Sequence, residues 1–494
     1  MRSLLGDFLA HRLSQRESGA LGKRLYDALQ QAIEEGAIAP ATRLPASRDL
    51  ARELSISRNT VLTAYEQLQS EGYLQTRTGS GTFVSEHLPE PHPNAEAYAA
   101  EDQGAPFGLL SLSKRGTRLL SRRGASPYQW GAFMPGVPDV SHFPHDTWRK
   151  IQNRLSRRLP VESLSYSHPS GCVPLQQALA EYLRVVRSVV CTADQIVITA
   201  GTHQSLDFLA KMLCDHGDVA WMEEPGYWGI RNVLSVNGVD IVPIPVDANG
   251  LNPPALRGDD IPPRLICVTP SHQYPMGMVM SLERRHQLLE LAQTWGSWVV
   301  EDDYDSEFRF SESPIQALQG MVPRAPVIYL GTFSKTLYPG IRISYMVLPK
   351  PLAARMKMAH SELYRGGNGL MQLTLAEFIR EGHYGAHVRR MRQLYNKRRA
   401  ALIEVITREL GPEFLAPYNN AGLHLILALP DGIDDVAVSA ELEQAGVLTR
   451  PLSAYYLAGA QRRGLLLGYA CVDEAHIETA FAHVVRCLKR RLPR

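Results

Sequence analysis

Apolar residues follow two rhythms along the chain. In "LGKRLYDALQQAIEEG", Leu21, Leu25, Leu29 and Ile33 recur every four residues, which predicts one apolar helix face, and Gly36 supplies a stop. In "LPASRDLARELSISRNTVLTAYEQLQSEGYL", Ser47 is placed to cap a helix carrying Leu50, Ala51 and Leu54, and Ser57 to cap another with Val61, Tyr65 and Leu68 inward. Two short helices joined by a tight turn predict a helix-turn-helix. "YLQTRTGSGTFV" then predicts two short strands around a glycine-rich turn, a wing able to approach a phosphate backbone closely.

After residue 128 the rhythm changes. Helical patterns alternate with short β-branched runs: "QQALAEYLRVV" with "QIVITAG", "SLDFLAKML" with "VAWME", "ERRHQLLELAQTWG" with "WVVEDD", then "VIYLGTFS". Such alternation predicts an α/β domain, a mostly parallel sheet flanked by helices, whose ligands sit at the carboxyl ends of strands. Between the two patterns lie "EHLPEPHPNAEAYAAEDQGAPFG" and the basic "SKRGTRLLSRRG", with few periodic apolar positions, which favours an extended linker. The expected organisation is a winged helix-turn-helix domain over 1–85, a linker over 86–127 and a large domain over 128–494. No internal repeat is evident.

Composition narrows the class. The chain has 494 residues, 45% of them hydrophobic, enough for a large buried core. Its apolar runs are shorter than the ~18 residues of a membrane span, and its start meets charge within a few residues, so neither span nor signal peptide is expected and the chain is placed in the cytoplasm. Six cysteines lie far apart without a CxxC pair, which argues against a zinc site or a disulfide framework. The net charge of +2 decides nothing by itself. A nucleic-acid partner has to be argued from a local surface.

Basic and acidic residues nearly balance over 1–85, unlike a non-specific nucleic-acid binder. Placement matters more. Arg48 falls in the first turn of the second helix, "SRNT" at 57–60 opens the third, and Arg77 sits on the wing, where a recognition helix and wing would meet DNA. The alternative is a small helical bundle with ordinary caps and solvated arginines. Residues 44–74 resemble the winged helix of GntR-type regulators, through "LP-x-x-R-x-LA", "S-R-x-T-V" and "L-x-x-E-G". The resemblance implies DNA contacts from Arg48, Ser57, Arg58, Asn59 and Thr60, with Gly79 and Gly81 shaping the wing. Leu62 stands where some relatives carry a polar or basic contact residue, so no operator sequence transfers.

In "YLGTFSKTLYPGIRISYMVLP", Lys335 ends an apolar strand with hydroxyls before it and an arginine after it. A lysine that forms a Schiff base needs a carbonyl close by, and a phosphate-bearing cofactor needs donors and a permanent cation. Thr332 and Ser334 offer hydroxyls, Pro339 and Gly340 bend the chain, and Arg342 can return as a phosphate clamp. In "TAGTHQSLDF", the amides of Gly201, Thr202 and His203 stand at a helix N-terminus and suit an anion. "WVVEDDYDSEF" brings Glu301, Asp302, Asp303, Tyr304 and Asp305 to the end of a strand. Pyridoxal phosphate needs one carboxylate at its pyridine nitrogen, and a phenol can hydrogen-bond its 3-oxygen. Without His or Cys companions the acidic cluster is not expected to bind a transition metal, and composition alone leaves Mg or Ca open. Tyr227, after a Pro-Gly turn, can stack on the ring; a lone aromatic is more often core.

Together these segments resemble fold-type I aminotransferases over about 130–490, through "S-K-x-x-x-P-G-x-R" and the upstream "E-D-D-Y". The resemblance implies that domain's fold with a smaller C-terminal subdomain. It makes Lys335 the Schiff-base lysine for pyridoxal 5'-phosphate, Asp302 the pyridine-nitrogen partner and Tyr304 the 3-oxygen partner. Thr332, Ser334, Arg342 and the Gly201–His203 turn would hold phosphate, joined by Tyr166 from the other subunit of a homodimer. Two departures stand out. "HQYPMG" at 272–277 replaces the usual "N-P-x-G", with Tyr274 where an asparagine would stand beside the 3-oxygen. Leu466 replaces a carboxylate-binding arginine of a late strand, which leaves Arg450 as the candidate for an effector carboxylate.

Winged helix, linker and aminotransferase-like domain in one chain resemble MocR-type regulators. The resemblance implies a transcriptional regulator that binds a double-stranded operator, with the cofactor at Lys335, alone or with an amine or amino-acid effector, modulating that binding. A working aminotransferase with an accessory DNA-binding arm is the alternative, and a DNA-binding protein with a mere dimerisation scaffold is a third reading.

Overall fold

The computed structural model describes residues 4–14, 19–77, 79–89, 112–121, 130–161, 165, 169–256, 260–310 and 315–492. The chain divides into two compact units, Met1–Ser111 and Leu112–Arg494.

In the first unit, helices α1 (Leu4–Ser14), α2 (Leu21–Glu34), α3 (Ser47–Leu54) and α4 (Arg58–Ser70) precede an antiparallel pair, β1 (Leu74–Arg77) and β2 (Gly81–Val84). Leu25, Leu29, Leu50, Val61 and Leu68 form its core with Leu9 of α1, a helix that the sequence reading did not anticipate. Leu21 differs from expectation: as the first residue of α2 it is 40% exposed, because the helix has no preceding turn to pack it. Ser57 caps α4, its Oγ accepting from the Thr60 amide at 3.1 Å. Ser47 does not cap α3. It lies one residue inside the helix, the cap position is Ala46, and its Oγ accepts from Arg58 Nε at 3.4 Å. Ser55, at φ 56°, closes the tight turn between α3 and α4.

The second unit is built on an eight-stranded sheet. Its strands are β3 (Ile196–Thr199), β4 (Val219–Glu224), β5 (Asp240–Asp247), β6 (Gly250–Leu251), β7 (Leu265–Val268), β8 (Trp298–Asp303), β9 (Val327–Thr332) and β10 (Ser344–Val347), in the order β3-β10-β9-β8-β7-β4-β5-β6. β5, β4, β7, β8 and β9 run parallel, and β10 lies antiparallel between β9 and β3. That reversal positions the site: after Lys335 the chain turns through Pro339–Ile341, leaves by Arg342 at φ 49°, and sets Ser344 opposite Thr332. Apolar faces of the helices cover both sides of the sheet in separate clusters, as a buried parallel sheet requires. A three-stranded sheet, β11 (His424–Ala428), β12 (Arg450–Pro451) and β13 (Gly464–Gly468), forms a second core with the long helix His383–Glu409 and the last helix Glu474–Lys489.

The expected extended linker is corrected in part. Lys114–Ser121 is a helix, α5 here, capped by Ser113, whose Oγ accepts from the Gly116 amide at 3.1 Å. It rests on the helix Trp228–Val236, where Arg115 Nη1 donates to the last carbonyl, of Val236, at 3.2 Å. A guanidinium there meets the partial negative charge of a helix C-terminus. Among the described residues no helix is long and apolar enough to cross a membrane.

Candidate functional site

At the carboxyl ends of β8 and β9 lies a cavity of about 260 Å³. It brings together Lys335, Asp302, Tyr304, Arg342, Tyr227 and Arg450, which come from segments far apart in the chain. Gly201, Thr202, His203, Thr332 and Ser334 also face it.

Lys335 Nζ donates to the carbonyl of Gly136 at 2.8 Å. Burial holds its amine below the usual lysine range, with Asp305 and Asp302 opposing the shift. A lysine that gives up its proton more readily is a better nucleophile toward a carbonyl. Gly136, at φ +74°, permits the approach, since a Cβ there would stand 3.2 Å from Nζ. The sequence reading missed this segment; its only signal was the Pro-Gly pair at 135–136.

One end of the cavity is made for an anion. Gly201 precedes the helix Thr202–Leu213, and a Cβ added to it would fall 2.8 Å from Arg342 Nη2. Only glycine lets the guanidinium lie across that helix N-terminus, where free amides and the helix dipole attract negative charge. Arg342 makes no ion pair with a carboxylate among the described residues. Thr332 Oγ1 accepts from the Ser334 amide at 3.2 Å and lies 2.8 Å from Ser344 Oγ, which fixes the strand end beneath it. His203 Nε2 and the Tyr227 hydroxyl are 2.9 Å apart, and burial, then the cations Arg342 and Lys335, keep the imidazole below its usual pKa.

The four carboxylates after Val300 have four different surroundings. Glu301 accepts the amides of Leu318 and Gln319 at 3.0 and 3.2 Å. Asp303 accepts from Arg187 Nε at 2.7 Å and from the Tyr329 hydroxyl at 2.5 Å. Asp305 meets His272 at 3.0 Å. Asp302, on the other face of the pleat from Glu301 and Asp303, lines the cavity and has a buried Oδ1 with no hydrogen-bond partner. Burial, followed by the Asp303 charge, pushes its pKa up to about 7, and Lys335 opposes this. An orphaned carboxylate oxygen suits a cationic ring N–H. With the anion cradle and the lysine whose burial lowers its proton affinity, these residues fit pyridoxal 5'-phosphate.

In the loop after β7, Tyr274 bonds the Tyr455 hydroxyl at 3.0 Å, and Tyr304 lies 2.8 Å from His272 Nδ1. Arg450 stands directly opposite Leu466 in the β12–β13 ladder and lines the cavity. Opposed residues share a sheet face, so the guanidinium comes from the strand beside the one expected to carry it. Tyr166 lies outside the described residues. Among those described, no group of His, Cys, Asp and Glu could hold a metal, and all six cysteines are free thiols.

In the first unit, Arg48, in the first turn of α3, and Ser57, Arg58 and Asn59, at the start of α4, are exposed, and Thr60 is half-buried. Arg77 is exposed on β1, paired with Glu86 at 3.1 Å and lying over Phe83 at 5.1 Å. Gly79 and Gly81 take φ of 79° and 111° in the wing turn, and a Cβ on Gly81 would meet Arg43 Nε at 3.1 Å.

Comparisons with known proteins match both units. Residues 21–84 match the model of bacterial regulatory proteins of the gntR family, and residues 138–484 match aminotransferase class I and II. The probable rhizopine catabolism regulatory protein MocR of Rhizobium meliloti is 39% identical over 453 residues, covering 91% of this chain and 90% of that one. The pyridoxine biosynthesis transcriptional regulator PdxR of Corynebacterium glutamicum is 29% identical over 96% of this chain and 97% of its own. Among solved structures, the kynurenine aminotransferase of Pyrococcus horikoshii superposes with a TM-score of 0.65 at 25% identity, covering 81% of this chain and 100% of that one.

Proposed function

The chain belongs to the MocR subfamily of GntR-type transcriptional regulators, and on that premise we propose that it senses an amine or amino acid through pyridoxal phosphate held at Lys335. The aminotransferase class I and II domain implies that cofactor. When bound, the cofactor supplies a carbonyl carbon that condenses with primary amines.

The chain's own groups divide the work of holding it. Lys335 provides the covalent attachment and Asp302 pairs the ring nitrogen. Tyr304 donates toward the 3-oxygen, and the Tyr227 ring stacks on the pyridine face. The Gly201–His203 amides, Thr332, Ser334 and Arg342 take the phosphate, with Tyr166 from the second copy of a homodimer completing the cup. Arg450 holds the effector carboxylate. Residues 1–85 bind the operator through Arg48, Ser57, Arg58, Asn59, Thr60, Arg77 and the wing, 86–127 connect, and 128–494 bind effector and dimerise.

What carries this assignment is the lone buried Oδ1 of Asp302 in one cavity with the Lys335 amine. The retained Lys335, Asp302 and Arg342 also allow a second reading, a working aminotransferase, against which the missing asparagine counts. Borohydride reduction of the PLP-loaded protein followed by peptide mapping decides the first point: the label is expected on Lys335, and Lys335→Ala should lose the visible band. Label on another lysine, or none, overturns the assignment. Titration with amino acids and amines then separates the readings. A regulator changes operator affinity, by a coupling of about 1–3 kcal/mol. Multiple-turnover amino transfer without such a change would favour the enzyme.

A further inference from the structure

His272 follows β7 and Asp305 follows β8; both are buried, at 3% and 1% exposure. His272 Nδ1 lies 3.0 Å from Asp305 Oδ1, 3.1 Å from Asp305 Oδ2 and 2.8 Å from the Tyr304 hydroxyl. The His272 and Tyr304 rings stack with centroids 5.8 Å apart. Gly422, at φ +84°, closes over the pair: a Cβ there would stand 2.2 Å from His272 Cε1 and 2.8 Å from Asp305 Oδ2. Packing therefore holds histidine and carboxylate in one arrangement.

Three oxygens around one nitrogen constrain the protons. A carboxylate only accepts, whereas an imidazole nitrogen either donates or accepts. A bare lone pair on Nδ1 would face the lone pairs of both Asp305 oxygens, so the proton belongs on Nδ1. An Nδ1–H cannot accept the phenol's hydrogen. The Tyr304 oxygen is then at most an acceptor toward His272, and its own hydrogen is left for the cavity that Tyr304 lines.

We propose that the His272–Asp305 pair is a positioning device that keeps Tyr304 a hydrogen-bond donor aimed at the 3-oxygen of the cofactor, supplying the orientation that the "HQYPMG" loop forgoes in carrying Tyr274 where the asparagine would stand. It rests on the assignment of Lys335 as the cofactor lysine. Tyr274 does not fill the gap, since its hydroxyl is engaged with Tyr455. The other titratable groups near this cluster are Asp302, Glu223, Tyr274, His424, Tyr469 and Lys335. Among the described residues only Asp305, Tyr304 and the neighbouring ring contacts engage the His272 imidazole.

The test is the pH midpoint of the visible band in full-length, PLP-loaded protein, read as a double-mutant cycle. A donor on the 3-oxygen favours its anionic form and lets the Lys335 nitrogen lose its proton at lower pH. Tyr304→Phe should raise the midpoint by roughly one pH unit, the size of a charge-assisted hydrogen bond. His272→Phe should raise it similarly, and add nothing in the Tyr304→Phe background. Asp305→Asn is the second, isosteric variant: it replaces one of the two acceptor oxygens facing Nδ1 by an amide, so the proton is no longer held on Nδ1 and the phenol's hydrogen is free to turn from the cavity toward the bare nitrogen. Loss of the Asp305 charge by itself lowers the midpoint, since that charge favours protonated Lys335. The expected result is therefore that Asp305→Asn gives a midpoint shift roughly one pH unit more positive with Tyr304 present than with Phe at that position. Equal shifts in both backgrounds overturn the proposal, as does a wild-type midpoint in Tyr304→Phe. Borohydride mapping on the same samples separates the two levels. Label on Lys335 with uncoupled midpoints overturns the positioning role alone, and absence of label on Lys335 overturns both.

Discussion

Asp302 shows what a single residue contributes. Its folded pKa, about 7, lies above that of an unfolded aspartate, because burial and then Asp303 disfavour the charge. Below an ordinary aspartate pKa of about 3.9 both states hold the proton. Above it the unfolded chain releases the proton first, so stability falls as pH rises and the contribution is gone once pH passes the folded value. The cofactor-free protein should therefore show a thermal midpoint that declines from about pH 5 to pH 8. Asp302→Asn should shallow that decline, and calorimetry across the range checks it. Some slope will remain, since Glu223 and Glu301 are raised to about 7 by the same burial. An Asp302→Asn variant with the full wild-type slope would show that the carboxylate is charged already in the cofactor-free fold.

At the scale of elements, caps and turns decide where side chains point. α4 starts at Arg58 because Ser57 satisfies the Thr60 amide, and this start sets the outward direction of Arg58 and Asn59. Ser57→Ala should cost the first unit about 1 kcal/mol of stability, measured by urea unfolding of the full chain with a probe in that unit. No loss would mean that water takes the place of Ser57 Oγ at the Thr60 amide and hydroxyl without penalty. The same logic failed for Ser47, a residue of the right type one position too late, since Ala46 with its extended backbone already occupies the cap. It would have found α5, whose Ser113 cap stands in the sequence, had the surrounding linker composition not argued for an extended chain.

For the whole molecule, the separation of the first unit's core from those of the second matters most. The core of the first unit is drawn from residues 5 to 88, and those of the second from residues beyond 130. Chemistry in one unit should then be separable from chemistry in the other. Arg58→Ala is expected to weaken operator binding by about 1–3 kcal/mol if it reads a base. Borohydride labelling of Lys335 should be unchanged in the same protein. Wild-type operator affinity would remove Arg58 from the interface, and lost labelling would show that the units do not behave independently.

Local rules settled much of this chain from its sequence. A period of four placed α2, serine before a polar turn placed α4, and β-branched runs between helices placed the strands, because each depends on neighbours within a few residues. The candidate cofactor residues were legible as well, since "S-K-x-x-x-P-G-x-R" and "E-D-D-Y" keep their groups close in sequence. Tertiary structure alone decided which of four adjacent carboxylates stays without a partner. Glu301, Asp303 and Asp305 are taken by the Leu318 and Gln319 amides, by Arg187 and by His272. It also set Gly136 against Lys335, 199 residues away, and Arg450 opposite Leu466. Contacts across such separations depend on how strands are ordered in the sheet, and strand order is fixed by packing of the whole domain rather than by any short stretch of chain.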